Sequence, residues 1–350
     1  MINIRTTVVA LGVALLTPTV SYAFCDQPSA SSRLQIYCLS NILSMTATNV
    51  DSAQVLDYRL KQEGYARGVG LPGIVDQANF VPYVSPIIEY SSDINGGNSN
   101  KPLVLGSLTF FGDEEFFRKN GIVAGFGLGG SGRYIYDEGR YLDYSIGGSY
   151  TYSAEHDIGI AKSFANLCSK NDIGQNFYFD GCLTASRLNR ELLDETTSSA
   201  SLSVAKLFSE SDERFNEVSV GLRRLFEGEF EQGQIILRLD TLHDKGYFTS
   251  LGASFGEAVE DRLAMRQSFN ATVGANVRDK LLIASFSYSH SDGGRLLGFS
   301  RDDTTAAFNL TYAVHPNINV SVGYSETNSS ISYFDDSRAI FGVQFSPIRF

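Results

Sequence analysis

The sequence predicts an all-β fold: a closed antiparallel transmembrane β-barrel of about fourteen strands, bracketed by even counts of roughly twelve and sixteen, behind a short helical N-terminal segment. Three observations predict it. From Phe80 onward, apolar and polar residues alternate in long runs, such as Phe269-Ala271-Val273-Ala275-Val277 interleaved with Ser268, Asn270, Thr272, Gly274 and Asn276. That period of two marks a strand with one apolar and one polar face. The polar face is Ser, Thr, Gly and Asn, while charges collect between runs, as in Asp113-Glu114-Glu115 and Arg301-Asp302-Asp303. The chain also opens on a secretory leader, which directs the mature polypeptide out of the cytoplasm.

The leader spans residues 1–23. Arg5 supplies the positive region, Val8 to Leu16 the apolar run, and Ser21-Tyr22-Ala23 the small-residue cleavage site. Export puts the four cysteines in an oxidising compartment. Two local couples, Cys25/Cys38 and Cys168/Cys182, are the favoured disulfides among three pairings, because short loops cost less entropy to close. The four histidines lie far apart, so no metal site is expected, and no cofactor site is legible. A net charge of −11 over 350 residues excludes a nucleic-acid binder. Mean hydropathy of −0.08 excludes a bundle of membrane helices but not a barrel, whose alternating faces average to neutral.

Residues 24–79 read differently. Leu34, Tyr37, Cys38, Ile42 and Met45 recur at helical spacing, as do Val55, Leu56 and Leu60, and Asp51 with Gln54 suggests a capping box. Gly64, Gly68, Gly70, Pro72 and Gly73 then break the pattern. This segment sits in the periplasm, plugs the lumen, or tethers the barrel.

The barrel occupies residues 80–350. Many of its runs reach the roughly 9–11 residues that a tilted strand needs to cross a bilayer. Tyr150, Tyr152, Tyr288, Tyr312 and Tyr324 gather near strand ends, where an interfacial girdle belongs. An open sheet in lipid would leave an unpaired edge, so the strands must close. Fifteen runs are found, beginning near Phe80 and ending near Arg338. A single-chain bacterial barrel normally has an even number, so one run is surplus. The weakest are the Pro-interrupted first run and the run from Phe177 to Arg190. With both barrel ends in the periplasm, Ser91 to Lys101, Asp292 to Asp303 and Glu326 to Ser337 fall at the cell surface. The Cys168/Cys182 hairpin is assigned to the same side. The chain closes on Phe341, Val343 and Phe345, a shift of phase across Ser346-Pro347, and Phe350. The shift reads as a bulge, and the terminal Phe as the signal for the outer-membrane insertion machinery.

Two stretches carry a family resemblance. The opening from Val81-Pro82-Tyr83 to Asn95, with its Tyr90-x-x-Asp93-x-Asn95 turn, resembles the first strand of the surface lipoprotein assembly modifier barrel. Gly323 to Ser330, with Tyr333-Phe334-Asp335, resembles that family's last loop and closing strand. The resemblance implies a fourteen-stranded barrel that helps lipoproteins or secreted proteins cross the outer membrane, fed by a periplasmic tetratricopeptide domain. Here some fifty residues precede the barrel, too few for an array of three 34-residue repeats.

No catalytic residue is expected. Ser289 and His290 are adjacent in a strand and point to opposite faces, and Asp240 and His243 differ by an odd step, so neither couple converges. Gly125, Gly127, Gly129, Gly130 and Gly132 fall inside an alternating strand, where small residues bend it or make room for the lead-in. The expected function is a conduit in the bacterial outer membrane, with lipid around it and Lys206, Arg223, Arg238 and Asp240 as candidate lumen charges. Assisted export or surface display of a lipoprotein, protein or polymer client comes first. A passive or selective porin is the alternative, and a structural or adhesive barrel the third.

Overall fold

In the computed structural model, residues 25, 30–45, 50–65, 78–98, 102–211, 213–278 and 280–349 are described. The leader and Phe350 lie outside the described residues. Among them no helix is long and apolar enough to cross a membrane.

The barrel strands are β1 (Ala78–Ser91), β2 (Gly121–Asp137), β3 (Arg140–Ser153), β4 (Ile158–Gly174), β5 (Phe177–Arg190), β6 (Leu193–Ser211) and β7 (Arg214–Glu227). They continue as β8 (Phe230–His243), β9 (Tyr247–Gly256), β10 (Ala264–Val277), β11 (Lys280–Leu296), β12 (Phe299–His315), β13 (Ile318–Ser329) and β14 (Asp336–Phe345, resuming at Ile348–Arg349). Each pairs antiparallel with its sequence neighbour, and β14 returns to β1 through Ile87↔Gln344 to Ser91↔Ile340. The result is a closed fourteen-stranded barrel with no free edge.

The surplus run is the one near Pro102. It forms a small hairpin, Leu103–Leu105 with Leu108–Phe110, inside the long β1–β2 loop and outside the barrel. Both of the weakest runs are barrel strands. β1 tolerates Pro86 because its pairing with β14 stops between Val84 and Ile87, opposite the Ser346-Pro347 interruption. A residue without an N–H loses nothing in that gap. Removing one run from the count also moves the Cys168–Cys182 disulfide. The β4–β5 hairpin turns between Gly174 and Phe177, at the same end as the start of β1 and the end of β14. The disulfide therefore lies near the terminal end, not at the opposite rim as the sequence suggested.

Alternation assigns the faces. Arg133 reaches the N-terminal helices and so points inward, which makes odd-numbered β2 residues interior and even-numbered ones exterior. Propagating the register around the barrel puts Ile122, Ile146, Leu183, Leu202, Leu222 and Leu251 outside, each more than half exposed. A monomer in water rarely exposes an apolar patch above a few hundred Å², and this belt runs around the whole cylinder. Tyr150, Tyr152, Tyr288, Tyr312 and Tyr324 all share that outer face. The exterior is a lipid-facing surface.

Gly125 and Gly129 let β2 lie close against β3. A Cβ at Gly125 would sit 2.0 Å from the Tyr150 carbonyl oxygen, and one at Gly129 2.6 Å from that of Ile146. The nearest atoms at both positions belong to β3 and Tyr83, so the glycines serve strand approach rather than room for the lead-in.

Candidate functional site

Two helices occupy the terminal end of the bore. In α1 (Ser32–Met45), the Ser31 hydroxyl accepts the Leu34 N–H at 3.2 Å and caps the first turn. The second helix, α2 (Val50–Gln62), already includes Asp51, whose side chain, and with it the expected capping box, lies outside the described residues. The disulfide Cys25–Cys38 ties the preceding chain to α1. Gly64, at φ +81°, ends α2, and a Cβ there would lie 2.5 Å from Ile135 Cγ2 on the barrel wall. Only glycine fits both demands.

The helices use one face to bury Leu34, Cys38, Leu39 and Leu56 against inward residues Leu207, Phe215, Leu242 and Phe248 of β6–β9. Fourteen strands about 4.8 Å apart and tilted about 40° enclose a cylinder roughly 28 Å across between backbones. Two packed helices of about 10 Å each span about 20 Å of that diameter, and the inward side chains of the wall take up the rest.

Polar clusters lock the plug to the wall. Arg33 donates from Nε to Glu217 Oε1 at 2.9 Å and from Nη1 to Asp180 Oδ1 at 2.9 Å. Ser31 donates to Glu217, and Lys170 Nζ lies 3.0 Å from Asp180 Oδ2. Burial works against the Arg33 charge, but Glu217 and Asp180 outweigh it and hold the guanidinium firmly protonated. Glu63, just past α2, is 1% exposed; it accepts from Ser32 and from Tyr141 Oη at 3.1 Å, with Arg133 Nη1 4.0 Å away. Burial pushes its carboxyl up against the opposing pull of those donors. Tyr65 donates to Asp172, and burial followed by that bond raises its phenol.

The other mouth is narrowed by the β1–β2 loop. Ile94 is fully buried among Val123, Ile158, Ile160 and Leu188, all inward residues, so the loop dips into the bore. Asp93 pins it, reaching Arg190 at 3.2 Å on β5 and Arg338 at 3.1 Å on β14. Asn95 accepts the Lys119 N–H at 2.9 Å and donates to the Phe117 carbonyl at 2.8 Å. The Tyr90-x-x-Asp93-x-Asn95 turn is thus the device that holds this loop in place. Between loop and plug lies a cavity of about 650 Å³ against β1–β6, where Ser, Thr and Gly positions mix with charged residues and a few aromatic and aliphatic ones.

Of the four candidate lumen charges, three face the bore. Arg223 donates to Gln234 at 2.7 Å, and Arg238 pairs with Asp240 at 2.8 Å two residues along the same face. Lys206 does not. It lies opposite Phe177 on the lipid side, its ammonium 4.5 Å from that ring's centroid. The plug explains the misreading: where helices fill the bore, inward positions such as Ala205 and Leu207 become apolar, reversing the usual contrast between the faces. Sequence reasoning missed the anchoring set Arg33, Glu63, Asp93, Asp180 and Glu217. Arg33 lies in a helix, Glu63 just past one and Asp93 in a loop, while Asp180 and Glu217 share their strands with other charges, so no local signal singled the set out. Ser289 and His290 occupy opposite faces of β11, and Asp240 and His243 diverge likewise on β8. His243 instead stacks on Tyr247, with centroids 3.9 Å apart.

No protein-family profile and no curated protein matches the chain. Among solved structures, Pseudomonas aeruginosa OpdK, crystallised with vanillate, aligns at 9% identity over 78% of this chain and 99% of that one, with a TM-score of 0.43. Acinetobacter baumannii OccAB4 aligns at 8% identity over 79% and 100%, TM-score 0.42. Pseudomonas aeruginosa OprD aligns at 8% over 80% and 97%, TM-score 0.41.

Proposed function

We propose that the protein is a selective diffusion channel of the bacterial outer membrane, its terminal end in the periplasm. The observation that carries this is the narrowed polar bore. A loop tied by Asp93 to two separate strands of the wall limits entry, while the cavity below, lined by charged and hydroxyl residues among others, is large enough for a small solute. On this reading the leader sends the chain through the inner membrane, and the outer-membrane machinery inserts it into lipid. No catalytic step is assigned to it.

Planar-bilayer recording of purified protein tests the proposal. Small, steady, solute-blockable conductance is expected, and a silent barrel that stays silent after plug displacement overturns it. The plug favours a second reading, a gated export conduit of the surface lipoprotein assembly modifier type. That reading predicts that deletion strips one protein or polymer from the cell surface without altering small-solute uptake. A purely structural or adhesive barrel predicts neither effect.

A further inference from the structure

The cavity between loop and plug carries an arrangement of charge that the plug and loop do not use. Lys162 on β4 lies directly opposite Leu188 on β5, and Leu188 directly opposite Glu195 on β6. Opposite residues share a face, so Lys162 and Glu195 flank Leu188 on the inner wall, their Cα atoms about 10 Å apart. Glu227 on β7 pairs with Thr197, two residues along from Glu195 on the same face, and sets a second carboxylate on the acidic side. Lys162 and Glu195 both line the cavity, and among the described residues neither has an ion-pair partner. Of the other two cations of the lining, Arg190 is committed to Asp93 and Arg187 to Asp194.

Beside the charges, on the β1 side of Lys162, the wall of the cavity is aromatic. Tyr83, Gly129, Gly147 and Phe164 follow one another across β1 to β4. A Cβ at Gly147 would lie 2.7 Å from the Phe164 ring and 3.1 Å from Tyr83 Oη, so the two aromatic side chains meet above a residue that must stay small. Ser85, Ser149 and Ser186 supply hydroxyls around them.

We propose that this cavity is a binding site for small zwitterionic solutes, amino acids or short peptides, with the carboxylate toward Lys162, the ammonium toward Glu195 and Glu227, and an apolar side chain over Phe164 and Tyr83. A simple anion meets two carboxylates beyond the lysine, and a simple cation meets the lysine beyond the carboxylates. Only a ligand carrying both charges satisfies both flanks. The proposal rests on the channel reading for its purpose, but it is tested by equilibrium binding, so the two fail separately.

The experiment is calorimetric titration of the detergent-solubilised full chain with L-phenylalanine, N-acetylphenylalanine and phenylalaninamide. The zwitterion is expected to bind at least about tenfold more tightly than either singly charged analogue, the size of one lost charge-assisted bond. Lys162→Gln is expected to erase its advantage over phenylalaninamide, and Glu195→Gln its advantage over N-acetylphenylalanine. Lys162→Arg restores the preference, and heat-modifiable migration on gels checks that each variant is a folded barrel. Equal affinity for the three ligands, no binding of any, or a zwitterion preference that survives both neutral variants overturns the site, whatever the conductance.

Discussion

Arg33 is the bond whose loss should free the plug. Its guanidinium sits between Asp180 and Glu217, with the three side chains 8%, 6% and 7% exposed. Replacing it with Met keeps most of the volume and leaves two carboxylates buried without their shared cation. Breaking a buried pair in this way costs about 3–5 kcal/mol. Lys170, 3.0 Å from Asp180, and Ser31 on Glu217 offset part of that, so about 3 kcal/mol is expected. At roughly 1.4 kcal/mol per factor of ten, the opened fraction of the plug rises on the order of a hundredfold. Hydrogen exchange reads this directly: α1 amides in Arg33→Met should lose about two decades of protection while strand amides keep theirs. Adding Asp180→Asn and Glu217→Gln should recover most of the loss, since the uncompensated charges are then gone. A loss of α1 protection smaller than about threefold, or an equal loss in the barrel strands, would refute this anchoring role.

Glu63 gives the plug a pH dependence. Its carboxyl is raised above 4.5 when docked, so the docked state binds the extra proton between that value and the raised one. Docking is therefore strongest below pH 4.5 and weakens as pH climbs through the raised value. Channel current through wild type should be larger at neutral pH than at pH about 4.5, and Glu63→Gln should flatten that difference. Asp93→Ala removes the buried carboxylate that joins Arg190 and Arg338; single-channel conductance should rise severalfold with little change in barrel melting, and unchanged conductance would contradict the constriction. Cys25–Cys38 closes a loop of 13 residues, which on the chain-entropy account contributes about 3 kcal/mol. Cys25→Ser with Cys38→Ser should accelerate α1 exchange while heat-modifiable migration of the barrel stays as in wild type.

The barrel was legible because its solvent imposes a rule on every strand. Lipid outside and water inside force a period of two, and Leu142, Tyr144 and Ile146 against Asp143, Ser145 and Gly147 state it without help from tertiary contacts. The apolar outer belt and the small polar residues of the inner face follow from the same constraint. Strand count was less legible, because Leu103 to Phe110 has the composition of a strand and only the closed sheet excludes it. That single miscount sent the Cys168–Cys182 hairpin to the wrong end.

The candidate site depended far more on the assembled molecule. Nothing local distinguishes Asp180 or Glu217 from a solvated charge; each matters because α1 lays Arg33 between them from more than a hundred residues away. Likewise, Lys162 and Glu195 become one site only through two strand registers, and Asp93 becomes a tether only when β5 and β14 come round to meet it. Sequence by itself determined the class of fold, the lipid-facing belt and the hydrophilic bore, since these arise from partitioning of each residue between two solvents. Tertiary structure decided what stands in the bore, because occupancy is set by pairings between distant segments, and alternation along a strand carries no record of its partner.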